Sequence, residues 1–126
     1  MDGWSVRFMF KEKGTLCAYL YHAGMKTDFG EHEFLRWNSQ PALLECGTWN
    51  TIELQIKMNA PDQSNGEVRC SLNQKEGLVL KNICFRKTEN LKIDQLLFSC
   101  FMGGDDPSYA PSSYQFLLFK NFAVEY

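Results

Sequence analysis

Histidine is scarce in this 126-residue sequence, with only His22 and His32, and no C-x-x-C pair occurs. The five cysteines, Cys17, Cys46, Cys70, Cys84 and Cys100, stand too far apart for a zinc cluster, so no metal site is expected. H-E-x-x-H, G-x-S-x-G and P-loop patterns are also missing, which removes zinc-peptidase, nucleophile-elbow and nucleotide-phosphate signatures and leaves no cofactor implied. No window approaches the length of a membrane span, and the opening residues form neither a basic nor an apolar leader. Neither a membrane partner nor an export signal is therefore expected, and the compartment stays open. An excess of positive charge is lacking too: 13 basic against 15 acidic residues leave a net charge of −2, which argues against a nucleic acid partner. The odd cysteine count, with most of them inside apolar strand patterns, suits free buried thiols.

What the sequence does contain is a core-forming composition, 44% hydrophobic and 14% aromatic. It predicts a single domain over residues 1–126. Residues 4–10 and 16–22 alternate on either side of a charged, glycine-containing loop and predict a β-hairpin. If Phe10 pairs with Leu16, then Arg7 faces Tyr19 and Ser5 faces Tyr21. Period-two alternation then sends all four side chains to one face of the sheet. Trp4, Val6, Phe8, Phe10, Ala18 and Leu20 take the other face as core.

Residues 23–47 show no clean period and predict a long loop, either a cleft rim carrying Lys26, Asp28, Glu31, His32, Arg36 and Trp37 or a solvated crossover. A strand follows over 49–58, with Ile52, Leu54, Ile56 and Met58 inward and Trp49 as core at its start. Asn65-Gly66 supplies the positive φ of the next reversal, and 67–73 buries Val68, Cys70 and Leu72. A turn at 74–77, short strands at 78–80 and 82–85, a strand within 91–102, a Gly/Pro loop at 103–113 and a closing strand at 114–124 complete the chain. Seven or so strands without an amphipathic helix predict an all-β, antiparallel β-sandwich, of jelly-roll type. A strand pattern that begins at the fourth residue further suggests a fragment whose N-terminal strands are missing.

Asp105 and Asp106 read either as a carboxylate pair or calcium ligands, or as turn formers. Trp37 and Trp49 could stack on sugar rings, with Trp49 more simply core, and Tyr109 reads as packing with a wet hydroxyl. The Ser5, Arg7, Tyr19 and Tyr21 face is either a functional patch or a solvent-facing sheet surface with Arg–Tyr stacking.

Several separated motifs bear on that choice: Ser5-Val6-Arg7, Ala18-Tyr19-Leu20-Tyr21-His22, the run from Trp49 to Leu54, Asn59-Ala60-Pro61, Gly66, and the run from Phe98 to Pro111. In order and spacing they resemble polysaccharide lyase family 14, which includes alginate and glucuronan lyases. The resemblance implies a β-jelly roll with a cleft for an acidic polysaccharide, and β-elimination chemistry with no metal or cofactor. Its catalytic positions fall on Ser5, Arg7, Tyr19 and Tyr21, with either tyrosine as base and the other as acid. His22, Lys26, Trp37, Asp105 and Tyr109 are the accompanying substrate-binding candidates. The family also carries a lysine on a strand upstream of Ser-x-Arg, so the chain reads as the C-terminal part of the family domain. A carbohydrate-binding sandwich without turnover is the competing reading.

Overall fold

The hairpin forms with the expected register. The computed structural model describes residues 3–26, 28–104 and 106–126. In it β1 (Ser5–Phe10) and β2 (Leu16–Tyr21) pair antiparallel, with Ser5 opposite Tyr21, Arg7 opposite Tyr19 and Phe10 opposite Leu16. The chain reverses through Lys13 and Gly14, at φ 57° and 72°. The Lys11 N–H donates to the Thr15 carbonyl at 2.8 Å and closes the loop.

The chain divides into two units, Met1–Ile93 and Asp94–Tyr126. In the first, residues expected to be loop build three further strands, β3 (Glu31–Phe34), β4 (Arg36–Trp37) and β5 (Gln40–Pro41). β3 joins the hairpin alongside β2, and β4 pairs with β5. Glu31-His32-Glu33 offers no apolar face, and for that reason the pattern concealed the strand. β6 (Ile52–Lys57), β7 (Gly66–Leu72) and β8 (Lys75–Ile83) make a second three-stranded antiparallel sheet.

Alternation decides what lies between the two sheets. Leu16, Ala18 and Leu20 from β2 meet Val68, Cys70 and Leu72 from β7 in one buried cluster with Leu35, Ala42, Ile83 and Phe85. Trp4, Val6, Phe8, Ile52, Leu54, Ile56 and Met58 pack against it. The opposite face of β7 is polar, where Arg69 pairs with Glu67 and Glu76. The fold is thus all-β and antiparallel, layered as a sandwich.

Asn59 is the one polar side chain of the core among the described residues. Its Oδ1 accepts from the Phe85 and Arg86 N–H groups at 2.9 and 3.1 Å, and its Nδ2 donates to the Ala60 and Arg86 carbonyls at 2.7 and 2.8 Å. Every polar atom of the amide is used. Burial is tolerated for that reason.

Several expectations fail in informative ways. Phe10, at the end of β1, is 43% exposed, and Trp49 is 55% exposed because β6 starts only at Ile52. The positive φ before β7 belongs to Asp62, not to Asn65-Gly66. Gly66 is instead a strand residue whose missing Cβ would sit 2.7 Å from the Ile83 carbonyl oxygen and 2.8 Å from the Phe85 ring. Residues 75–83 form one strand, not two pieces, because Asn73 and Gln74 alone make the turn, both at positive φ. Gly77 and Asn82 are skipped in the pairing with β7, and these bulges broke the alternation. Of the free thiols, Cys17 and Cys70 are buried, whereas Cys46 and Cys100 are exposed.

The second unit contains no strand among its described residues, contrary to the expectation for 91–102 and 114–124. Those runs are rich in strand-forming residues, but a strand needs a partner strand, and no strand ladder involving them appears among the described residues. Phe98 packs edge-on to Phe119 and Phe122, with ring centroids at 4.8 and 5.0 Å. Asp106 caps the short 3₁₀ turn Pro107–Tyr109, accepting from the Ser108 N–H at 2.7 Å. It is a turn former.

Candidate active site

Cross-strand pairing places Ser5, Arg7, Tyr19 and Tyr21 on one face of the β1–β2 hairpin. The Tyr19 and Tyr21 hydroxyl oxygens lie 3.0 Å apart, and their rings meet edge to face, with centroids at 5.2 Å. The Arg7 guanidinium carbon sits 5.0 Å from the Tyr19 ring centroid and 5.5 Å from that of Tyr21. Among the described residues no carboxylate pairs with Arg7, which is exposed. Its hydrogen-bonding edge is open to an incoming anion.

The Gly30 N–H donates to the Tyr19 hydroxyl oxygen at 3.2 Å. Either hydroxyl can donate in the 3.0 Å contact; with Tyr19 as the donor, the direction that accepting from Gly30 favours, the chain of donors ends on the Tyr21 oxygen. The Tyr21 phenol is accordingly drawn below its ordinary value of 10.0, first by the hydrogen bond from Tyr19, then by the Gly30 amide and by Arg7. Tyr19 is pushed upward, first by the same bond to Tyr21 and then by burial. The two shifts have one physical origin, the hydrogen bond between the phenols, so they belong to the pair rather than to either ring alone.

Gly30 can approach only because it lacks a side chain. A Cβ there would stand 2.5 Å from Tyr19 Cζ and 2.9 Å from the Leu20 carbonyl oxygen.

His32 was expected only as part of a loop rim. It lies on β3 opposite Tyr19, with ring centroids 4.3 Å apart, on the same face as the four residues. Burial, and secondarily Lys11, lower its pKa and favour the neutral imidazole. The one signal in the sequence was the step of two between Glu31 and Glu33, too hydrophilic to mark a strand.

The remaining candidates are placed elsewhere. The His22 ring lies toward Phe85, at 6.4 Å between centroids, and Glu31 Oε2 is 3.2 Å from its Nε2. That is the core side of β2. Lys26 is exposed on the connection between β2 and β3. Trp37 packs against the core, with the Lys75 ammonium 4.8 Å from its ring centroid. Tyr109 belongs to the second unit, and Asp105 lies outside the described residues. Two surface depressions of the first unit, about 470 Å³ beside Arg86, Glu89, Asn90 and Lys92 and about 270 Å³ beside Gln55, Lys57 and Arg69, do not include the hairpin face. On that face Arg7 and His32 are exposed, and Ser5, Tyr19 and Tyr21 are half-buried.

Beyond its geometry, the chain matches the family model described as polysaccharide lyase 14 over residues 1–122. The chain belongs to polysaccharide lyase family 14. The matched stretch covers the hairpin, the second sheet and most of the second unit. No curated protein and no solved structure matches the chain. Membership makes it a polysaccharide-lyase domain at the level of the family, with a polysaccharide as the substrate class.

Proposed function

We propose that this domain cleaves uronate-containing polysaccharide, of the alginate or glucuronan type, by β-elimination, with Ser5, Arg7, Tyr19 and Tyr21 as its catalytic residues. We also take residues 1–126 as one functional domain of jelly-roll type, since the family match runs across both units. The observation that carries the reading is the pair of phenol oxygens at 3.0 Å under one guanidinium.

The chemical difficulty lies at C5 of the uronate. Its proton is weakly acidic because removal adds negative charge beside an ionised carboxylate. Arg7, always charged and matched to a carboxylate in bidentate fashion, offsets that charge, and the Ser5 hydroxyl donates a further hydrogen bond. Tyr21, the phenol that ionises more readily, takes the C5 proton. The C5–H electron pair becomes the C4–C5 double bond, the C4–O bond breaks, and Tyr19 protonates the departing oxygen. The proton now on Tyr21 returns to Tyr19 through their direct hydrogen bond and restores the starting state. No water is consumed.

A second reading, a carbohydrate-binding sandwich without turnover, draws on the openness of this face, since Arg7 and His32 are both exposed. Incubation with alginate and with glucuronan, followed by the ultraviolet absorbance of the new double bond, separates the two. Absorbance that grows with time, slows strongly in Tyr19→Phe and disappears in Tyr21→Phe is expected. A folded chain that binds the polymer and produces no absorbance would leave only the binding reading.

A further inference from the structure

On the core side of β2 is a second hydrogen-bonded chain. The Gly24 N–H donates to His22 Nδ1 at 3.2 Å, so Nδ1 carries the lone pair and the imidazole proton resides on Nε2. That Nε2–H points at Glu31 Oε2, also at 3.2 Å. The Met25 N–H donates to the His22 carbonyl and the Gly24 N–H reaches the Cys84 carbonyl, both at 3.2 Å. His22 thus anchors the start of the connection from β2 to β3, and through Glu31 it also grips the end. The residue immediately before Glu31 is Gly30, whose N–H serves the phenol pair on the opposite face.

We infer that His22 and Glu31 are positioning residues, a clasp that fixes the β2–β3 connection so that the Gly30 N–H reaches Tyr19 and sets which way the phenol–phenol hydrogen bond runs. Neither side chain touches the reacting atoms. The groups facing the phenols are Arg7 from β1 and His32 from β3, together with the Gly30 amide, so Glu31 acts on them through the backbone. Gly30 is the narrow point of this arrangement, since its lack of a Cβ admits the Tyr19 ring. The inference rests on the proposed roles of the tyrosines, but its test does not require cleavage.

The direction of the effect separates positioning from simple electrostatics. Removing the negative charge of Glu31 would by itself make nearby phenols easier to ionise. Losing the Gly30 hydrogen bond makes them harder to ionise. With the tyrosine ring carbons isotopically labelled in the full chain, and the resonances assigned with Tyr19→Phe and Tyr21→Phe, the Tyr21 titration can be followed by NMR without any polymer. In Glu31→Ala the Tyr21 titration is expected to move upward by about half a pH unit or more, and the Gly30 amide signal to shift. Glu31→Gln, whose side-chain carbonyl still accepts from Nε2–H, is expected to show no rise. His22→Phe, which leaves the charge at Glu31 in place, is expected to reproduce the rise seen in Glu31→Ala. An unchanged or lowered Tyr21 titration in Glu31→Ala, or a Gly30 amide that stays put, would overturn the inference. A chain that titrates as expected yet cleaves nothing would overturn the lyase reading and leave the clasp standing.

Discussion

The hydroxyl oxygens of Tyr19 and Tyr21 lie 3.0 Å apart, and this contact drives the two phenols in opposite directions, Tyr21 toward ionisation and Tyr19 away from it. A base must be deprotonated to act, so activity should rise with pH as Tyr21 loses its proton. Because its pKa is lowered, that rise should fall below the pH at which an ordinary phenol, near 10.0, ionises. Tyr19→Phe withdraws the donated hydrogen bond, which should move the rise to higher pH and lower kcat by about 100-fold or more. Initial rates across the neutral to alkaline range, measured on both proteins, check this.

Arg7 and lysine carry the same charge, yet only the guanidinium presents a planar fork to a carboxylate, and here its central carbon sits within 5.5 Å of both tyrosine ring centroids. Arg7→Lys should therefore retain the fold and lose about 10-fold or more in kcat/KM, roughly the worth of one charge-assisted hydrogen bond. Steady-state kinetics against a uronate polymer, with thermal unfolding as the control, provide the measurement. An Arg7→Lys protein with wild-type kcat/KM would remove Arg7 from the site.

Asn59 makes the sharpest stability prediction. Replacing it with alanine leaves the N–H groups of Phe85 and Arg86 without their acceptor inside the core, at a cost of about 3 kcal/mol. Asn59→Asp has nearly the same shape but turns an acceptor toward the Ala60 and Arg86 carbonyls, where the amide had been a donor. Both should lower the midpoint of denaturant unfolding, and the aspartate variant should recover partly in acid as its carboxyl takes up a proton.

Burial raises the Cys70 thiol from its ordinary 9.0 to about 12. The unfolded chain therefore gives up this proton first as pH increases. The stability associated with the neutral thiol is fully present below about pH 9 and is lost as pH climbs toward 12. Cys70→Ala should unfold at a lower Tm at neutral pH, because it leaves a small void, but its Tm should fall less steeply across that alkaline interval. Calorimetry at several pH values distinguishes the two slopes.

The hairpin face was legible because strict alternation on two neighbouring strands puts Val6, Phe8, Ala18 and Leu20 on one face, and that parity puts Ser5, Arg7, Tyr19 and Tyr21 on the other. The second sheet was legible for the same reason at Ile52, Leu54 and Ile56 against Val68, Cys70 and Leu72. Legibility failed where a strand carried charge on both faces, as at Glu31 to Glu33, and where bulges at Gly77 and Asn82 interrupted the period. It failed differently at residues 91–102 and 114–124, whose composition favours strands but forms no strand ladder among the described residues. His32 and Gly30 escaped notice because their importance comes from what lies across the sheet, and no local pattern encodes that.

Among the described residues, β2 lies between β1 and β3 in its sheet, with β1 at the end of the strand order. The residues assigned to proton transfer thus sit on the doubly held strand, and those assigned to the carboxylate sit on the sheet's edge. Edge segments open at lower free energy than central ones. On warming, amide exchange at Ser5 and Arg7 should accelerate before exchange at Tyr19 and Tyr21. The domain should lose its grip on the acid group of a sugar while its phenols are still in register, so that weakening of binding precedes loss of the proton-transfer machinery.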